Sequence, residues 1–302
     1  MMNLQQVPKD DPTAKKAEVL FAGRVRVSET FLSLEGEGPY TGYPTLFIRF
    51  FGCNFTCSGL GTKEPATAKV NALKYASPET REDLSKYQFT TGCDSAYSWD
   101  PAFKHLTVDH TVETLAKAIL QHIEGKYMIT KPILCFTGGE PMLYQKYFGA
   151  IWELVKEKFS FILIETNASI KATNELWRGL EDAGNPNLVW SLSPKLSNSG
   201  EPRNKAISKE VVDSYYGQKY WKFVSDGSEE SLVEIRQALD TYSGGHTTYA
   251  NEAWAKTWLM PEGASLEQQN EMQRKVAALC LKYGIKFCAR VHVWIWKNEI
   301  GT

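Results

Sequence analysis

Seven short apolar runs, rich in β-branched and aromatic residues, recur along the 302-residue chain at 45–51, 133–136, 161–165, 188–192, 221–224, 257–260 and 287–296. Segments of helical period separate most of them. In "TVETLAKAILQHI", Val112, Leu115, Ile119 and Ile123 step by three, four and four, which puts them on one helix face. "SLVEIRQAL" and "EMQRKVAALCLKYG" read the same way, and the second closes at Gly284 as a C-cap does. Strand–helix alternation of this kind predicts an α/β fold, a parallel sheet with helices outside it.

Two segments stand apart from that rhythm. Residues 1–22 form a polar tail without the apolar centre of a signal peptide. Residues 58–92 are polar, rich in Gly and Pro, and weakly periodic apart from a short helix predicted near "ETREDLSKY". They read as an excursion from the sheet, and a loop of this length is either functional or disordered. The predicted organisation is thus a tail at 1–22 and one domain at 23–302 with an insertion at 58–92. No run approaches the roughly 18 apolar residues of a membrane span, and the chain reads as soluble and cytoplasmic. With 34 basic and 35 acidic residues the net charge is −1, which gives no electrostatic footprint for direct nucleic-acid binding. Six unevenly spaced cysteines do not resemble a secreted disulfide framework.

Cys53 and Cys57 stand in a loop after the first apolar run, and the insertion ends at Cys93. With 58–92 set aside, three thiols come close in the chain. Three thiolates suit a four-iron, four-sulfur cluster with one iron open; they also suit a structural zinc with His105 or His110 as fourth ligand. The run at 133–136 leads straight into Thr137-Gly138-Gly139-Glu140-Pro141. Paired glycines let backbone approach a ligand closely, or simply make a tight turn. Cys135, Cys280 and Cys288 read as small buried hydrophobes.

Cys53, Cys57 and Cys93 followed by "TGGEP" resemble the radical S-adenosylmethionine superfamily. "FLSLEGEGPYTGYPTLFIRFFGCNFTC", "CDSAYSW", "TGGEP", "IETN" and "SPK", in this order, resemble the 7-carboxy-7-deazaguanine synthase family. The similarity covers most of 25–195 outside the insertion and, more weakly, "VHVWIW". It implies an incomplete (β/α) barrel of the radical SAM type with the site at the C-terminal ends of its strands. It also implies a lyase of 7-deazaguanine and queuosine biosynthesis that turns 6-carboxy-5,6,7,8-tetrahydropterin into 7-carboxy-7-deazaguanine. The reactive species is a 5′-deoxyadenosyl radical drawn from the cofactor, so no side chain is itself the catalyst.

Position by position, the resemblance assigns the 4Fe-4S cluster to Cys53, Cys57 and Cys93. It assigns S-adenosylmethionine to Gly139, Ser193, Pro194 and Lys195, with Asp94, Glu140 and Glu165 as further contacts. Leu34, Glu35, Gly36, Arg49 and Thr137 match substrate contacts, with Glu37 and His292 as additional candidates. Ser95 stands where the family usually has a threonine that ligates Mg2+. Each has a plainer reading: Glu35 and Glu37 as turn carboxylates, Glu165 as a strand-end residue, His292 as a core histidine in an apolar strand. Arg49, flanked by Phe47, Ile48, Phe50 and Phe51, reads as buried, and its fork suits a carboxylate.

The chain departs from the family in two respects. The cluster loop carries 35 residues between its second and third cysteines, and serine replaces the threonine at 95. Lys63, Lys69, Lys74 and Lys86 in the insertion suggest docking of an acidic electron donor such as flavodoxin. A homodimer is expected from the family. Two other functions compete: another radical enzyme, such as a glycyl-radical activase, or a non-enzymatic zinc or iron–sulfur module.

Overall fold

In a computed structural model, residues 23–61, 79, 80, 84, 89, 91–297 and 299–301 are described. The predicted tail, the four insertion lysines and most of the helix predicted near 79–87 lie outside these residues. One nine-stranded sheet runs in the order β3-β1-β2-β4-β5-β6-β7-β8-β9. Its strands are β1 (Val25–Leu34), β2 (Pro44–Phe50), β3 (Val108–His110), β4 (Ile133–Gly138), β5 (Ile162–Thr166), β6 (Leu188–Leu192), β7 (Gln218–Ser225), β8 (Thr257–Pro261) and β9 (Lys286–Phe287). From β2 to β9 every pairing is parallel; β1 pairs antiparallel with both β2 and β3. The sheet is open, with β3 and β9 as its edges, an incomplete (β/α) barrel.

Helices α1 (Val112–Gln121), α2 (Phe148–Val155), α3 (Asn174–Asp182), α4 (Arg203–Ala206), α5 (Lys209–Asp213), α6 (Glu229–Ser243), α7 (Thr247–Ala255), α8 (Leu266–Tyr283) and α9 (Val291–Trp296) follow the strands. The face predicted for α1 is the buried one: Val112, Leu115 and Ile119 have no exposed surface. Hydroxyl caps start the longer helices, with Thr111, Thr173, Ser228 and Ser265 each accepting a backbone N–H of the first turn. Gly284 closes α8 in the left-handed region at φ 68°. Among the described residues no helix is long and apolar enough to cross a membrane.

Two expectations need correction. The apolar run 287–296 is not a strand: only Lys286–Phe287 pair with β8, and 291–296 form α9. A six-residue apolar stretch does not discriminate helix from strand by pattern, and Val293 alone of these six is fully buried. His292 therefore sits on a helix, whose first residue Val291 donates its N–H to the Gly36 carbonyl at 3.0 Å. The second correction is β1, absent from the runs read above; it makes β2 the second strand and sets an antiparallel pair beside the parallel array. The insertion also contributes to the core, because Leu84 and Phe89 are buried with Tyr97 and Phe103.

Candidate active site

A cavity opens over the C-terminal ends of the parallel strands, bordered by the loops that follow β2, β4, β6 and β8. Cys53, Cys57 and Cys93 all line it, and none forms a disulfide. Gly92 N–H donates to the Leu60 carbonyl at 2.7 Å, closing the base of the insertion and returning Cys93 to the other two cysteines. Phe55 N–H points at the Cys53 sulfur at 3.4 Å. Cys57 adopts φ 46°, a left-handed conformation that costs a non-glycine residue on the order of 1–2 kcal/mol, so the surrounding loops must hold it there.

The GGE turn presses against this loop. Gly138 has φ +132°, and a side chain there would overlap the Phe50 backbone. A Cβ on Gly139 would run into the Gly52 carbonyl and approach Cys53. Glu140 turns inward instead: its carboxylate accepts from Met142 N–H (3.1 Å), Thr166 Oγ1 (2.7 Å) and Asn167 N–H (2.8 Å). It is fully buried and is not part of the cavity lining, and neither is Pro194. The other sixteen residues assigned from the family pattern all line this one cavity.

Charged side chains form its floor. Arg49, opposite Glu29 in the β1–β2 register, donates Nε to Glu29 at 2.8 Å, and the Tyr97 hydroxyl donates to the same oxygen. Lys222 is buried and pairs with Glu37 and, at 3.2 Å, with Glu165; Thr137 Oγ1 donates to the other Glu165 oxygen. Arg290 bridges Glu37 (3.1 Å) and Asp94 (2.6 Å) and donates to the Gly263 carbonyl. Ser95 Oγ donates to Asp94 at 3.2 Å. Glu29, Lys222 and Arg290 join the site without matching any motif in the sequence, and Tyr97 joins it from within "CDSAYSW". Lys222 had a signal, a lysine inside the aromatic strand "WKFV"; Arg290 and Glu29 are located only by the fold.

Electrostatics follow from burial and these partners. Burial works against the ammonium of Lys222, but Glu165 and Glu37 outweigh it and hold it charged. Burial likewise opposes ionised Asp94, and Arg290 prevails, lowering its pKa. Burial, reinforced by Glu165, pushes the Glu35 carboxyl well up; its Oε2 is buried without a partner. His292, buried and next to Arg290, falls to about 4 and is a neutral imidazole at working pH. The thiols are raised, mainly by burial, Cys53 to about 12; Lys195 opposes the rise at all three sulfurs. Ligation of iron there must release thiol protons.

Among the described residues no three His, Cys, Asp or Glu side chains stand close enough to share one metal ion. His105 and His110 do not line the cavity. The three thiols, the lysine beside them, a turn with no room for side chains and an orphaned carboxyl oxygen fit a cluster with a polar cofactor and ligand next to it.

The chain is similar over most of its length to several curated 7-carboxy-7-deazaguanine synthases. The chain is 25% identical over 281 residues to the 7-carboxy-7-deazaguanine synthase of Pyrobaculum aerophilum, covering 92% of this chain and 97% of that one. It is 26% identical to the enzyme of the same name from Halobacterium salinarum, with 91% and 92% covered. The crystal structure of QueE from Escherichia coli superposes with a TM-score of 0.55 at 16% identity, covering 92% of this chain and 99% of that one. No protein-family model matches the chain.

Proposed function

We infer that the protein is a radical S-adenosylmethionine enzyme that converts 6-carboxy-5,6,7,8-tetrahydropterin to 7-carboxy-7-deazaguanine with release of ammonia. The observation that carries this reading is the meeting of Arg49 and the Leu34–Glu37 turn with three free cysteines in one cavity. A glycyl-radical activase would share the cysteines and the GGE turn but has no need of the first group.

The cluster with its bound sulfonium cofactor supplies one-electron chemistry that abstracts hydrogen from the substrate; the protein supplies placement and shelter. Cys53, Cys57 and Cys93 hold the cluster, and Lys195 offsets the charge of three thiolates. Gly139 gives the cofactor backbone at close range, with Ser193, Asp94 and Glu165 as polar contacts. Arg49, its Nε committed to Glu29, offers its terminal fork to the substrate carboxylate. Glu35, with one free oxygen, takes a polar edge of the pterin ring; Thr137 and neutral His292 flank it. Lys222 and Arg290 pair with Glu37, Glu165 and Asp94, so the floor is fixed before substrate enters.

Ser95 Oγ would supply an oxygen to Mg2+, a hard cation that keeps several of its waters, and the ion held there would offer its charge to the substrate carboxylate. The protein works in the cytoplasm as a homodimer, reduced by a donor such as flavodoxin that meets the insertion lysines.

Anaerobic reconstitution tests the reading. The protein is expected to turn brown, to bind about four irons and labile sulfide per chain, and to form 7-carboxy-7-deazaguanine and ammonia from the pterin under a strong reductant. Chelation of Mg2+ lowers the rate. A colourless protein with one zinc, or a loaded protein that leaves the pterin unchanged, would overturn it; a rate indifferent to chelation would remove Mg2+ from Ser95.

A further inference from the structure

Cys57 is held by a residue from a distant part of the chain. One carboxylate oxygen of Glu201 accepts the N–H of Cys57 at 2.8 Å, the N–H of Thr56 at 2.7 Å and the Thr56 hydroxyl at 3.1 Å. Glu201 ends the loop after β6, the loop that also carries Ser193 and Lys195 to the cavity. That loop and the cysteine loop are pressed together: Gly59 N–H donates to the Ser199 carbonyl at 2.9 Å, and a Cβ on Gly59 would overlap the 198–200 backbone. Ser199 Oγ in turn accepts the Glu201 N–H at 3.2 Å and donates to the Leu196 carbonyl.

We propose that Glu201 is a positioning residue for the iron–sulfur cluster, acting through the Cys57 backbone. Cys57 occupies a left-handed conformation that no glycine relieves, and three donors converging on one carboxylate oxygen keep the turn there. Its sulfur is thereby aimed before iron arrives. Phe55 N–H, two residues after Cys53, points at the Cys53 sulfur; the N–H in the same relation to Cys57, that of Gly59, donates instead to the Ser199 carbonyl of the loop that carries Glu201, so Cys57 is held through its backbone rather than through its sulfur. A partner outside the ligand shell that orients a ligand typically changes metal retention by roughly 10–100-fold when removed.

This inference rests on the cluster reading of the preceding subsection, and the wild-type protein separates the two. If it takes up no cluster, the earlier reading fails. If it loads, Glu201→Ala and Glu201→Gln are compared with it in three measurements: iron loss to a chelator, the electron paramagnetic resonance signal of the reduced cluster, and the melting temperature of the metal-free protein. Glu201→Ala is expected to lose iron roughly 10-fold faster with an altered signal, while the metal-free form, which gives up the same three hydrogen bonds, still melts cooperatively at a lower temperature. Glu201→Gln keeps an acceptor oxygen for the same donors and should restore retention and signal. The proposal is overturned if Glu201→Ala retains iron as the wild type does, if Glu201→Gln fails as badly as alanine, or if metal-free Glu201→Ala no longer melts cooperatively, which would make its iron loss a consequence of unfolding.

Discussion

Arg49 and Lys222 each interrupt an apolar strand, and the same reasoning applies to both: a cation in a buried strand needs an anion, so it marks either an ion pair or a ligand. The sequence made Arg49 conspicuous through its four apolar neighbours. Lys222, flanked by Trp221 and Phe223, carried an equal signal, and its partners Glu37 and Glu165 lie 185 and 57 positions away. Residue type is legible locally; pairing is not, because it depends on strand register and on a loop that returns across the cavity. Glu29 shows the same limit, since only the β1–β2 register sets it opposite Arg49. If the Arg49 fork binds the substrate carboxylate, Arg49→Lys keeps the charge but loses paired, charge-assisted bonds of about 1.5–3 kcal/mol. The expected result is a KM for the pterin raised by roughly 10- to 100-fold with kcat much less affected. Steady-state kinetics on cluster-loaded protein would decide this, and an unchanged KM would release Arg49 from that role.

At the scale of elements, prediction succeeded where the local chemistry is self-sufficient. The α1 stripe and the α8 stop at Gly284 are encoded by side-chain spacing and by a glycine at φ 68°, neither of which needs distant partners. It failed at 291–296, where an apolar run of six is compatible with either period, and at β1, whose alternation is broken by Ser28, Glu29 and Ser33. The GGE turn lies between these cases. Its glycines were readable as a close approach, but the surface approached, the Gly52 carbonyl of the cysteine loop, was not. That contact makes a stability prediction independent of any cofactor. Gly139→Ala forces β4 and the cysteine loop apart, an overpacking expected to cost about 1–3 kcal/mol. Urea unfolding of the metal-free protein should show a lower midpoint at unchanged m-value. Stability equal to wild type would mean that the turn is looser than its geometry implies.

For the whole molecule, the insertion between Cys57 and Cys93 poses a choice between two costs. Shortening it from 35 residues to a handful recovers only about 2 kcal/mol of loop-closure entropy, because that entropy grows logarithmically with length. Leu84 and Phe89, buried against Tyr97 and Phe103, contribute about 1.5–3 kcal/mol each, so packing outweighs closure and deletion is a poor probe of what the segment does. Charge reversal is a better one. Replacing Lys63, Lys69, Lys74 and Lys86 with glutamate leaves both buried residues in place and removes the electrostatic attraction that an acidic reductant would use. Such attraction acts on association rate and is screened by salt. If the lysines receive flavodoxin, the variant should turn over normally with a small chemical reductant. With flavodoxin it should require roughly 10-fold more donor for half-maximal rate at low ionic strength. The gap between variant and wild type should narrow as salt rises, since each is then left with short-range contacts alone. Equal donor dependence in the two proteins at low salt would move the docking surface elsewhere, while the cavity chemistry, measured with the chemical reductant, would stand.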